Sequence, residues 1–140
     1  MLHALVVEFN QRVLGVAARF IGWQPPKEAE LSMAQLREEI DEMEDARKEG
    51  NLVAFIDGLI DLDYYHKGIV YKTGLSVEQY NELFILVHEA NMEKKLGINH
   101  KRQGFGGAAD AVKPEGWIPP EERIRAKLLE WGVDVTAYPL

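Results

Sequence analysis

A chain of 140 residues in which 46% of the side chains are apolar can bury one real core and is too short for a second independent one. The absence of cysteine excludes disulfides, thiolate catalysis and cysteine-bound zinc, so any metal is held by oxygen or imidazole, in keeping with a reducing cytoplasm. Sixteen basic against twenty-three acidic side chains leave a net charge of -7, which opposes a long contact with a phosphate backbone and argues against nucleic-acid polymers as partners.

From His3 to about Phe20 the residues Leu5, Val6, Phe9, Val13, Val16, Ala17 and Phe20 recur at the three- and four-residue spacing of an amphipathic helix. Glu8, Asn10, Gln11 and Arg12 interrupt that stretch, so it reads neither as a signal segment nor as a membrane span, and a cytoplasmic protein is expected. "GWQPP" ends the helix. Ser32 is placed to cap a second helix carrying Met33, Leu36, Ile40 and Met43, with Gly50 as its stop. Residues 51–72 form a run too long for a strand and apolar around most of its circumference, which predicts a largely buried third helix closed by Gly74. "SVEQ" at 76–79 has the form of a capping box and opens a fourth helix through Leu96. Residues 97–120, rich in glycine and polar breakers, read as one long irregular loop, a length that usually carries function in compact domains. "PPEERIRAKLLEWG" is a final helix with proline at its start, acids in its first turn and glycine behind it. No period-two alternation persists. The expectation is one all-α domain over residues 1–140, a bundle of four to five helices with a long loop before the last.

The chemistry concentrates in "EEIDEMED" at 38–45, six carboxylates in eight positions, where neighbours repel one another. At about 100° per residue, Leu36, Ile40 and Met43 form an apolar stripe with Glu38, Asp41 and Asp45 opposite it. Glu39 and Glu42 fall between, three apart, so their carboxylates can converge. On the apolar third helix Asp57 and Asp61 lie four apart on a stripe shared with Tyr64 and Gly68. Ionised carboxylates inside a bundle must be paired or bind a metal, and Arg37, Arg47, Lys48 and Lys67 are too few to pair with them all. Two facing acidic edges therefore require a cation. Hard oxygen ligands suit Mg2+ or Mn2+, and magnesium ordinarily shares phosphate oxygens with its substrate, so the predicted partner is a metal-phosphate complex. The plainer reading is a solvated acidic helix face.

Farther along, His88, Asn91 and Lys95 fall on or beside the face of Tyr80, Phe84 and Val87, with Lys94 flanking. Lys94 and Lys95 also suit a helix C-terminus on dipole grounds alone. "HKRQGFGG" sets Lys101 and Arg102 beside glycines but lacks the strand and helix flanks of a phosphate loop, and reads as surface. Trp23, Tyr64 and Tyr65 read as core or interface.

"EEIDE" at 38–42 and "DGLIDLDYY" at 57–65 resemble the E-E-x-x-E and E-x-x-D signature of the all-α nucleoside triphosphate pyrophosphohydrolases, the MazG-like proteins and their relatives among dimeric dUTPases and phosphoribosyl-ATP pyrophosphohydrolases. With "HEANMEKK" at 88–95 and "KPEGWIPP" at 113–120 the likeness spans Phe9 to Pro120 and is similar to a short, single-domain branch of phages and bacteria. The resemblance implies Mg2+-dependent hydrolysis of a nucleotide between its α and β phosphorus atoms, giving a nucleoside monophosphate and pyrophosphate. It implies Glu39, Glu42 and Asp61 as metal ligands and Glu38 as the group that orients or deprotonates the attacking water. It implies Asn91 and Lys94 as contacts to sugar or phosphate, Lys113 as a phosphate contact, and Trp117 as a base platform or an anchor. Gly58 stands where the signature has an acid, and Asp57, one residue earlier, is the substitute fourth ligand. A homodimer or homotetramer in the cytoplasm, a host's if the chain is phage-encoded, is implied as well. Phosphoribosyl-ATP or dUTP as substrate is the alternative within the enzyme class. A non-catalytic helical interaction module with a structural cation site, favoured by Gly58, is the alternative outside it.

Overall fold

The structure, a computed structural model, describes residues 1–98, 101, 105 and 110–139. Five helices and one short antiparallel sheet make up its regular elements among those residues: α1 (Leu2–Arg12), α2 (Pro26–Glu49), α3 (Leu52–Lys72), α4 (Val77–Met92), β1 (Lys95–Gly97), β2 (Asp110–Val112) and α5 (Pro120–Glu130). The all-α class holds. The chain divides into two compact units, Met1–Val77 with Thr136–Leu140, and Glu78–Val135. No helix among the described residues is long and apolar enough to cross a membrane.

The first unit is built on the α2–α3 hairpin. Gly50 takes the left-handed conformation (φ 70°) and its N–H donates to the carbonyls of Ala46 and Arg47, closing α2. Asn51 opens α3 at once, its side chain accepting from the Ala54 N–H at 3.0 Å. So short a connection makes the helices antiparallel neighbours. The side of α2 that is buried carries Ser32, Glu39 and Ala46 at seven-residue intervals, the spacing of a coiled-coil seam. Met43 packs on Gly58 of α3, where any Cβ would overlap the Met43 Cγ. The helix is therefore turned from the orientation its apolar pattern predicts. Ile40, placed in the core stripe by sequence, is 53% exposed, and Glu39, placed at its margin, is buried at 8%.

Two helix boundaries of this unit differ from expectation. α1 ends at Arg12 rather than near Phe20: the N–H groups of Val13 and Leu14 both donate to the Phe9 carbonyl, and Gly15 turns the chain with φ 68°. Beyond it the apolar residues serve a non-helical segment laid along the end of α3, where the Tyr71 hydroxyl donates to the Val16 carbonyl at 2.9 Å and the Gly22 N–H to that of Thr73 at 3.0 Å. α2 begins at Pro26, six residues before Ser32, because a proline at the first helical position loses nothing by lacking an N–H. Ser32 lies inside the helix, its Oγ accepting from Gln24 Nε2 at 3.1 Å. Across this hairpin α1 sets Phe9 edge-on to Tyr64 (centroids 5.4 Å, planes at 79°) and Asn10 over Gly68. α3 is less buried than its composition predicts: Leu52, Val53, Ile56, Leu59 and Ile60 are 46–80% exposed, on the side away from Gly58 and α2.

In the second unit α4 ends at Met92 instead of Leu96, and Lys95 pairs with Val112 in the short ladder of β1 and β2, where no strand was expected. Three residues per strand are too few for alternation to show in sequence. The Trp117 indole N–H donates to the carbonyl of Ala90, a fully buried residue, at 2.9 Å. Arg123 bridges Glu93 and Glu89 while Lys127 reaches Glu82, so ion pairs hold α5 to α4.

Candidate active site

The acids converge through the hairpin's register. With Met43 on Gly58, the next turn away from the connection brings Glu39 of α2 opposite the Asp61 turn of α3. Glu39 is the focus. Burial raises its pKa above the ordinary 4.5, and the negative fields of Asp61, Glu42, Glu38 and Asp57 push it in the same direction, in that order. Its Oε2 is buried with no hydrogen-bond partner. Several bases of the unit are engaged elsewhere: Arg47 and Lys48 pair with Glu44, pulling it to about 2, Lys67 with Asp63, and Arg12 with Glu8. Arg37 is exposed and pairs with no acid among the described residues.

Around this buried carboxylate Asp61 is half-buried, while Glu38, Glu42 and Asp57 are exposed. For Asp57 this corrects the expectation that apolar neighbours enclose it. The position of the missing signature acid now has a physical account. Gly58 is where the Met43 side chain of α2 lies against α3, and a side chain there would displace Met43.

Among the described residues no three His, Asp or Glu side chains stand positioned to hold an ion as they are. Like charges without a counter-ion separate to the extent that rotamers allow. The donor set nonetheless fits a hard divalent cation: all ligand atoms are carboxylate oxygens, one is buried without a partner, and the charges of four further acids act on it.

Sequence reading placed Tyr65 in the core or an interface and not at the site. It stands four residues beyond Asp61, half-buried, and its hydroxyl holds its proton more tightly because of burial and then the charges of Glu39, Asp61, Glu38 and Glu42. The 57–61–65 spacing that puts Asp57, Asp61 and Tyr65 along one side of α3 was the available signal. A larger cavity, about 530 Å³, lies between α1 and the far end of α3 and includes Tyr71 and Gly74. It holds none of the five acids, and Tyr71 is ten residues beyond Asp61, about 15 Å along the axis. Chemistry, not volume, locates the site.

Three of the four substrate contacts implied by resemblance come together within the second unit. Lys94 Nζ and Lys113 Nζ stand 5.0 and 5.2 Å from the Trp117 ring centroid. Neither ammonium pairs with a carboxylate among the described residues. Trp117, tied to Ala90, is an anchor. Asn91 is exposed in the last turn of α4, and His88 is exposed as well. Of "HKRQGFGG", Arg102 and most of the glycine cluster lie outside the described residues.

The family model described as phosphoribosyl-ATP pyrophosphohydrolase matches residues 16–91, more than half of the chain and all of α2 and α3 with their five clustered acids. No curated protein matches the sequence.

Proposed function

The chain belongs to the phosphoribosyl-ATP pyrophosphohydrolase family, within the MazG-like all-α superfamily of nucleotide pyrophosphohydrolases, and from that premise we propose that it hydrolyses ribo- or deoxyribonucleoside triphosphates to the monophosphate and pyrophosphate in a Mg2+-dependent reaction, with Mn2+ as a substitute. The observation that carries this reading is the buried, unpartnered Oε2 of Glu39 ringed by Asp61, Glu42, Glu38 and Asp57.

Glu39, Glu42 and Asp61 would hold the cation, with Asp57 at the margin. When bound, it polarises phosphoryl oxygens, lowers the pKa of water and offsets charge building on the phosphates. Glu38, exposed beside this group, accepts the proton of the attacking water. The water oxygen bonds to the α-phosphorus as the bond from that phosphorus to the α,β-bridging oxygen breaks, and pyrophosphate leaves with the electron pair. Lys94 and Lys113 are the cations offered to substrate phosphate, and Asn91 the amide offered to the sugar. The exposed apolar side of α3 is covered by a second copy in a homodimer or homotetramer.

A second reading is favoured by the family itself: phosphoribosyl-ATP contains the same α,β-anhydride and serves the same acids. Incubation of the full chain with common nucleoside triphosphates and with phosphoribosyl-ATP, in Mg2+ or Mn2+ and in chelator, decides between them by product identification. Metal-dependent formation of monophosphate and pyrophosphate is the expected result. Thermal stabilisation by metal with no turnover of any substrate would overturn it in favour of a non-catalytic module.

A further inference from the structure

We infer that Lys94 and Lys113 form a site within the second unit for a linked pair of phosphates, one that takes free pyrophosphate without a metal ion and favours triphosphates over diphosphates in the proposed hydrolysis. The preference among substrates rests on that hydrolysis; the binding of pyrophosphate does not.

The site follows from strand register. Lys95 pairs with Val112 at the end of the antiparallel ladder, so Lys94 and Lys113, each one residue farther out, face each other across it. Side chains opposed in this way have Cβ atoms about 4.5–5.5 Å apart, and like charges there destabilise the pair. Alternation divides the ladder into two sides. Lys95, Gly97, Asp110 and Val112 share one, where a Cβ on the glycine would stand 2.6 Å from Val112 Cγ2. Lys94, Leu96, Ala111 and Lys113 share the other. That second side is open among the described residues, with Leu96 85% exposed and Ala111 exposed as well.

Trp117 gathers the two charges. Its indole N–H is committed to the Ala90 carbonyl, which fixes the ring, and Lys94 Nζ and Lys113 Nζ stand 5.0 and 5.2 Å from its centroid. Neither ammonium pairs with a carboxylate among the described residues, and Glu93, next to Lys94 in the chain, is taken by Arg123. The dipole of α4 accounts for a cation at Lys94 but not for a second one at Lys113. In a chain of net charge -7, two unpaired cations opposed across one ladder and held on one ring are a local exception that an anion neutralises.

The side-chain types choose the anion. Lysines present point charges on flexible stems, which suit tetrahedral phosphate oxygens, whereas the planar fork of arginine is the match for a single carboxylate. One phosphate is shared between the two ammonium groups; two linked phosphates give each its own. In the proposed reaction that group is the β- and γ-phosphates before cleavage and pyrophosphate after it. A diphosphate has only one phosphate beyond the bond that breaks, and leaves a lysine unmatched.

The test titrates the full chain in chelator with pyrophosphate and with inorganic phosphate while NMR follows the indole N–H signals of its three tryptophans, Trp117→Phe assigning one of them. Pyrophosphate is expected to shift the Trp117 signal more than those of Trp23 and Trp131, and to bind at least ten-fold more tightly than phosphate. Lys94→Gln and Lys113→Gln should each weaken it about ten-fold or more. Lys95→Gln removes the same charge from the other side of the ladder and should change it less than two-fold. ATP carrying a methylene in place of its α,β-bridging oxygen should shift Trp117 as pyrophosphate does, which separates the intact tail from the released product; a shift by pyrophosphate alone overturns the assignment to substrate. With Mg2+, kcat/KM should be at least ten-fold higher for ATP than for ADP, a gap that each Lys94 or Lys113 variant narrows. Equal affinity for phosphate and pyrophosphate, or equal weakening by Lys95→Gln, marks a general attraction of charge and overturns the site. A lower melting temperature of the two variants with unchanged pyrophosphate affinity marks a latch on Trp117 and overturns it too. Pyrophosphate binding without turnover of any nucleotide upholds the site and faults the proposed hydrolysis, whereas turnover without a Trp117 shift does the reverse.

Discussion

Replacing Glu39 by glutamine should make the metal-free protein more stable and the metal-loaded protein less so. Glu39 is 8% exposed, its Oε2 has no partner, and four neighbouring acids disfavour its charge. An unsatisfied buried polar or charged group costs about 1–3 kcal/mol. An amide of the same shape removes the charge and turns NH2 donors toward the carboxylates that had repelled it. A gain of about 2 kcal/mol in chelator follows, which for a chain of this size is an increase of about 4–8 °C in Tm. Divalent cation should reverse the order. Wild type gains about 2.7 kcal/mol when Mg2+ is at a hundred times its Kd, whereas the variant, lacking a charged ligand, gains little. Paired melts followed by circular dichroism in chelator and in saturating Mg2+ read both effects. A variant that melts below wild type in chelator, or that gains as much from Mg2+, would refute the reasoning.

The same carboxyl sets a pH dependence. Because the folded state raises Glu39 above 4.5, the folded chain holds more protons than the unfolded one in that window, so stability in chelator should fall as pH rises through the raised pKa; Glu39→Gln should flatten this slope in pH-dependent urea melts. Asp61→Asn and Glu42→Gln should each reduce turnover at least about a hundred-fold with the helical circular dichroism unchanged, and substantial residual pyrophosphate release would remove that residue from the site. Gly58→Ala should destabilise by about 1–3 kcal/mol through overlap with Met43 and be largely rescued by Met43→Ala, as a double-mutant cycle in denaturant would show. Lys113→Ala should raise KM several-fold with little effect on kcat, and unchanged kinetics would dismiss its role.

The hairpin at the heart of the site was legible in the sequence because its punctuation is local. Gly50 marks the connection, and the carboxylates of 38–45 with Asp57 and Asp61 mark the chemistry. The rotation of α2 was not legible. Hydrophobic periodicity places Ile40 inside, yet Met43 packs on Gly58 and Glu39 lies buried in the seam. The end of α1 was hidden for a similar reason: Val16, Ala17 and Phe20 continue the helical period in a segment that α3 binds in another conformation. Asn10 looked like the polar interruption of an amphipathic helix. Only three-dimensional packing gives it a buried amide with an unused acceptor. Tyr65 stood in plain register with the acids, but a tyrosine on an apolar helix is ordinarily core.

The most direct measurement is an electron paramagnetic resonance titration of Mn2+ into the wild-type chain and into Asp61→Asn. If the acids of α2 and α3 gather around a divalent ion, the free-Mn2+ signal is depleted stoichiometrically by wild type and much less by the variant. Equal depletion by both proteins, or none by either, would contradict the account.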